Sequence, residues 1–243
     1  MVPPIPAPAY RWGIRLGYVA AAYAAKAAAR AWDERRDRLR NVGAQPGSSA
    51  GQPRVVILGG KQVGKTTLVN AWRGTWTDEP PEPTQARYVY GPIDVEVAGR
   101  RLLLSKLVDI SGQKEAWSTW REQVAEGEIV LYLINAKALL AEERRRSGQG
   151  VTAAWTRIED DAGQIRLSKS DALKLCLLVV THRDLDPRFP RLGEDGYQGH
   201  IAGQLAPIVF KLGGDQKVRV VTGSLETLDA AMATTAKIVE LLS

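Results

Sequence analysis

The chain has 243 residues, 44% hydrophobic and 25% charged, ordinary values for a globular protein with room for one large core and an appendage. One cysteine and two histidines exclude an internal disulfide framework and a zinc cluster, and Cys176, inside an apolar run, reads as a core residue of a protein in a reducing, cytoplasmic compartment. The net charge of +6 is localised: residues 1–40 hold eight Lys or Arg against three acidic residues, a net +5, which leaves +1 for the rest and gives the main body no nucleic-acid-binding face.

Four prolines in the first eight residues predict an extended start. Residues 11–40 then form an alanine-rich stretch that predicts a long helix, with Trp12, Leu16, Val19 and Tyr23 on one face until Arg30 falls on it. Its uncharged stretch, 16–25, is half of the roughly 20 residues a membrane span needs, so spanning would bury Arg15 or Lys26. Two readings stand. In one, 11–40 lies on an anionic membrane or docks on a partner helix, which would place the protein at the inner membrane surface; in the other, it packs on its own domain or forms a dimer contact. Residues 41–53, rich in Gly, Ser, Pro and Ala and without charge, read as a flexible linker to a domain over 54–243.

Val55 to Leu58 is an apolar run that reads as a buried strand, and GGKQVGKTT, Gly59 to Thr67, follows at once. Gly59, Gly64, Lys65 and Thr66 fit GxxxxGK[ST], a phosphate-binding loop. Its turn aims backbone N–H groups at a β-phosphate, Lys65 reaches the β- and γ-phosphates, and Thr66 offers a hydroxyl to Mg²⁺. A helix beginning at Thr66 adds the positive end of its dipole. Residues 75–85 are proline-rich and acidic, hence a loop. A strand over 86–97, a turn at Ala98-Gly99 and a strand over 102–108 make an antiparallel hairpin. A helix over 114–125, apolar runs at 129–134, 175–180 and 218–221, and helices near 153–167, 198–211 and 226–242 complete the alternation. The fold class is therefore α/β: a three-layer, mostly parallel sheet with one antiparallel edge strand, preceded by an N-terminal helix.

Three further motifs fall at strand ends. DISG, Asp109 to Gly112, puts a carboxylate where it orients the Mg²⁺ shell and a glycine whose N–H can approach a γ-phosphate; Gln113 follows, where a carboxamide orients attacking water. Thr84, ahead of rivals Thr75 and Thr77, is the loop hydroxyl best placed to close on Mg²⁺. THRD, Thr181 to Asp184, supplies an aspartate able to accept the N1–H and 2-amino hydrogens of guanine, which adenine lacks. Val221 to Ser224 places Gly223 and Ser224 where a base meets a backbone N–H. Ligands of such sheets bind at this edge.

With GGKQVGKT, Thr84, DISGQ, THRD and VTGS, residues 54–243 resemble the small GTPases of the Ras and Arf superfamily, and SGQKEAWSTWREQ is most similar to the Arf side. The resemblance implies a P-loop NTPase fold and a Mg²⁺-dependent GTP/GDP switch. Gly59, Gly60, Lys61, Gln62, Val63, Gly64, Lys65, Thr66 and Thr67 would cradle the phosphates; Thr66, Thr84 and Asp109 would hold the metal; Lys61, Lys65, Thr84 and Gln113 would act in hydrolysis. Thr181, His182, Asp184, Gly223 and Ser224 would hold the base, and an effector would dock on 75–85 and 109–125, with regulators of exchange and hydrolysis as further partners. The alternative is a non-catalytic module that holds nucleotide structurally.

Four departures qualify the resemblance. Val2 removes the N-myristoylation signal. Lys61 puts a long cation near the γ-phosphate, where it either crowds the glutamine or stabilises transition-state charge; slow intrinsic turnover is expected. His182 stands where a lysine stem lines the base, and its ring is expected to stack there instead. Residues 136–174, with Arg144 to Arg146 and Gly148 to Gly150, read as a solvated helix end and loop or a partner surface.

Overall fold

A computed structural model describes residues 53–77, 79, 81, 87–146, 152–168 and 173–242. The predicted N-terminal helix, the linker up to residue 52, Thr84 and the Gly148 to Gly150 loop lie outside them. The strands are β1 (Arg54–Gly59), β2 (Arg87–Tyr90), β3 (Ile93–Val97), β4 (Arg100–Leu104), β5 (Lys106–Ile110), β6 (Ile129–Asn135), β7 (Leu175–Thr181) and β8 (Val218–Thr222). The helices are α1 (Lys65–Arg73), α2 (Trp117–Glu126), α3 (Ala136–Arg146), α4 (Ala153–Leu167), α5 (Phe189–Leu212) and α6 (Leu228–Leu242), with single 3₁₀ turns at Lys114–Ala116 and Arg183–Leu185.

Six strands form one sheet in the order β2-β5-β1-β6-β7-β8, parallel throughout except that β2 runs antiparallel to β5 at the edge. β1, β6 and β7 are continuous apolar runs because helices cover both faces. One core gathers Trp120, Tyr132, Trp155 and Tyr197 between the sheet and α2, α4 and α5. The other joins Leu68 and Trp72 of α1 to Ala231, Ile238 and Val239 of α6, with the hairpin strands β3 and β4 against them. Trp72 Nε1 donates to Thr235 Oγ1 at 3.0 Å, which fastens α1 to α6.

The two long hairpin strands of the sequence reading are each broken in two. Gly91-Pro92 interrupts the first, since proline has no N–H for the ladder. Ser105 interrupts the second and sends its N–H to the Pro53 carbonyl at 3.2 Å. The inner halves, β2 and β5, stay in the main sheet; the outer halves, β3 and β4, form a separate two-stranded sheet. Ala98 (φ 51°) and Gly99 (φ 74°) close it with two left-handed residues, the requirement of the tight turn that matches strand twist.

Four other details of the elements add to the sequence reading. α5 begins nine residues before the predicted 198, because Gly193 (φ 68°, ψ −175°) joins two helical pieces across a break and hides the earlier one. Residues 136–146 are a further helix, with Leu139 and Glu142 buried, ahead of the Gly148 to Gly150 segment that lies outside the described residues. α1 starts at Lys65, one residue early, and Asp109 is followed by Ile110 before β5 ends.

Candidate phosphate and base site

β1 ends at Gly59, and the chain turns through residues 60–63 into α1, whose N-cap is Gly64. Gly64 is left-handed (φ 88°, ψ 17°), and a Cβ there would lie 2.5 Å from Leu225 Cδ1, so no other residue fits without strain. No side chain caps α1, which leaves the N–H groups of its first turn directed at the loop.

Lys65 folds back into this loop and is 6% exposed. Its ammonium donates to Gly60 O at 2.7 Å and Gly59 O at 3.0 Å. Burial lowers its pKa from 10.5 to about 8, against the pull of the Asp109 and Asp161 carboxylates and with help from the Arg157 charge. Thr66 Oγ1 donates to Asp109 Oδ2 at 2.9 Å, so the first helical hydroxyl meets the carboxylate of the neighbouring strand. Gly112 is pressed on the loop: a Cβ there would come within 2.3 Å of the Gly60 carbonyl carbon and 2.7 Å of Gly59 O. Trp120 Nε1 holds this turn from behind by donating to Ser111 O at 3.2 Å.

Beyond Gly112 the chain opens a cleft of about 370 Å³ lined by Gly60, Lys61, Gly112, Gln113, Lys114, Glu115 and Arg157. Lys61 and Gln113 therefore share one opening. Arg157, from α4, was not legible as a site residue. Its guanidinium donates to Asp161 Oδ1 through Nε at 2.7 Å and to Gly112 O through Nη2 at 3.3 Å. Asp161 is fully buried and also accepts from Trp117 Nε1 at 2.8 Å and Tyr132 OH at 2.9 Å. Burial raises its carboxyl pKa even against Arg157 and these donors. The one sequence signal was the Arg157/Asp161 pair at i, i+4 on a helix, a spacing that usually marks a solvated ion pair.

On the other side of the loop, Thr181 Oγ1 donates to Val63 O at 2.9 Å and lies 3.2 Å from Ile134 O. His182 is left-handed (φ 58°), and its Nε2 stands 3.3 Å from Gln62 O, so its ring reaches the loop at 59–67. Asp184 is exposed on the Arg183–Leu185 turn. Arg183 N–H donates to Gly223 O at 3.2 Å, and Gly223 N–H to Val180 O at 2.9 Å, which sets the β8 end beside the β7 end. Ser224 is buried, with its carbonyl accepting from Thr234 Oγ1 at 2.9 Å.

The loop at 59–67, the turn at 109–113, residues 181–184 and residues 223–224 thus lie together at the C-terminal ends of β1, β5, β7 and β8. Thr84 is the one predicted site residue outside the described residues, and Thr67 is half-buried on α1. Thr66 and Asp109 offer the hydroxyl and carboxylate oxygens that suit Mg²⁺. Among the described residues no three His, Cys, Asp or Glu side chains cluster, so a cation here would complete its shell from phosphate oxygens and water. No helix among the described residues is long and apolar enough to cross a membrane. Comparison of the chain with protein-family models and with curated proteins gives no match.

Proposed function

We propose that this chain is a Mg²⁺-dependent GTP-binding switch of P-loop NTPase type that hydrolyses GTP slowly and recruits a partner in its GTP state. The observation that carries the reading is the contact of Thr66 Oγ1 with Asp109 Oδ2 at 2.9 Å beside a buried Lys65 whose ammonium caps two loop carbonyls. A buried ammonium is costly, and a polyphosphate is the ligand that offsets the cost. Mg²⁺, held by Thr66 and Asp109, would neutralise phosphate charge. Lys65 and the α1 N-terminus bind the phosphates; Gln113 orients water at the open end; Asp184 selects guanine by accepting its N1–H and 2-amino hydrogens.

The GTP state would reach a partner through 75–85 and 109–125, the second of which begins at Asp109 beside the loop at 59–67. Residues 11–40 would dock on a membrane surface or a partner helix. Isothermal titration with Mg²⁺ tests the reading: GTP and GDP bind and ATP does not. ATP binding as tight as GTP binding removes the guanine assignment. A single-turnover assay separates the switch from a non-catalytic module, since Gln113→Leu should abolish γ-phosphate release that the wild type performs.

A further inference from the structure

Arg157 has a position that neither the loop pattern nor the motifs around it assign. It lies 45 residues beyond Gly112 in sequence, yet its Nη2 donates to the Gly112 carbonyl and its side chain lines the same cleft as Lys61 and Gln113. With Lys61 and Lys114 it brings three cations to the cleft wall beside Glu115; Asp160 pairs with Lys114 and Asp161 with Arg157, but both carboxylates lie outside the lining, so the wall itself presents the positive groups that suit a multiply charged anion. Two of the five guanidinium N–H groups are taken, by Asp161 and Gly112, and among the described residues no protein acceptor takes the others.

The group is also held in advance. Asp161, gripped by Trp117 Nε1 and Tyr132 OH, fixes the Nε side of the guanidinium, and the Trp117 ring lies 5.2 Å from its central carbon. A side chain locked by packing and by hydrogen bonds to a buried acid loses little freedom on meeting a ligand. Lys61 at the cleft mouth is exposed, and Lys114, though it lies over the same Trp117 ring, pairs with an exposed carboxylate, Asp160, and so is held less firmly than a guanidinium bonded to a buried acid.

We propose that Arg157 binds the terminal phosphoryl group of a nucleoside triphosphate and so makes the site distinguish triphosphate from diphosphate from within the chain. The inference rests on the guanine-nucleotide reading above. In hydrolysis a bond forms between water oxygen and the γ-phosphorus, and the bond to the β–γ bridging oxygen breaks. The diphosphate leaves with that oxygen, and the water's protons pass to the released phosphate and the medium. Arg157 moves no proton in this step; its charge stands against the negative charge on the γ-phosphoryl oxygens.

The competing role is structural: Arg157 as counter-ion to Asp161 alone. Full-length wild type, Arg157→Lys and the double variant R157A/D161N, which avoids stranding a buried carboxylate, are titrated with GDP and with a non-hydrolysable GTP analogue in Mg²⁺, and near-ultraviolet circular dichroism checks the fold. The expected result is a loss of about tenfold in affinity for the triphosphate analogue in the double variant, the worth of a charge-assisted hydrogen bond, with GDP affinity within about twofold of wild type. Arg157→Lys, which keeps charge but loses the fork, should fall between. Equal losses for both nucleotides, or no loss for either, overturn the inference and leave the guanine reading standing. A wild type that binds neither nucleotide overturns both.

Discussion

Lys65 carries a measurable debt in the nucleotide-free protein. Its pKa is 10.5 in an unfolded chain and about 8 in the fold, chiefly through burial. Between those values the unfolded chain binds one more proton than the folded one, so stability rises with pH from about 8 and levels off near 10.5; below 8 the full cost is present. At about 1.4 kcal/mol per pH unit the interval comes to about 3 kcal/mol. Lys65→Met removes the titration while keeping a flexible stem of similar length. Denaturant unfolding of wild type and variant without nucleotide, at steps between pH 7 and 10.5, gives two curves whose difference isolates the group, because every other titration is common to both. The wild type should gain about 3 kcal/mol on the variant over that range. Two hydrogen bonds, to Gly59 O and Gly60 O, are lost in the variant, which shifts the difference by a near-constant amount and leaves its pH dependence intact. Curves that stay parallel from pH 7 to 10.5 would show that Lys65 is not desolvated and would remove the physical basis for reading the loop as a polyphosphate cradle. A polyphosphate should raise the Lys65 pKa again, so binding at pH 8.5 should take up a proton, visible as a dependence of binding heat on buffer ionisation enthalpy.

Other consequences are testable more simply. Gly112→Ala must part the 109–113 turn from the loop at 59–67, because its Cβ meets backbone at 2.3 Å; triphosphate affinity should drop at least tenfold and unfolding should become easier by about 1–3 kcal/mol. Asp184→Asn should exchange guanine for xanthine preference in competition titrations, and an unchanged preference would take Asp184 out of the base site. Arg188, nearly buried, is hydrogen-bonded to the fully buried Asp186 and ion-paired with Glu143 of α3. Arg188→Ala should cost about 3 kcal/mol in chemical unfolding by leaving Asp186 uncompensated. Burial pushes the Asp186 pKa up, but hydrogen bonds from Arg188 and Tyr197 outweigh it and hold the group below 3.8. Its contribution should therefore be present above pH 3.8 and fade as pH falls through the lower, folded value, a loss that Asp186→Asn would abolish.

The parts of the molecule that local sequence determines were readable. Apolar runs became β1, β6 and β7 because a parallel strand covered on both faces has no polar side to show. The spacing of Gly59, Gly64, Lys65 and Thr66 fixed a turn and a helix start, since only glycine accepts the backbone at 64. What depended on distant pairing was not readable. The hairpin looked continuous because the break at Gly91-Pro92 gains meaning when β2 must stay with β5 while β3 turns onto α1 and α6. The start of α5 was hidden by glycines whose effect is a single kink at Gly193. Arg157 and Asp161 carry no local signal of a buried pair, since their setting is made by Trp117 and Tyr132, which come from other elements. The contact of His182 Nε2 with Gln62 O, 120 residues away in sequence, likewise depends on tertiary placement that no local pattern carries.

The Thr181 hydroxyl on the Val63 carbonyl, with His182 on Gln62 beside it, joins the two loops that would grip opposite ends of a nucleotide. A ligand spanning both is bivalent toward a rigid receptor, and its second contact forms at an effective concentration set by that fixed spacing. Neither end needs to bind tightly alone. Free guanosine and free pyrophosphate would each hold weakly, while their covalent combination gains the product of both affinities. Loosening the tie by Thr181→Val would lower that effective concentration, so the intact nucleotide would lose far more affinity than either fragment.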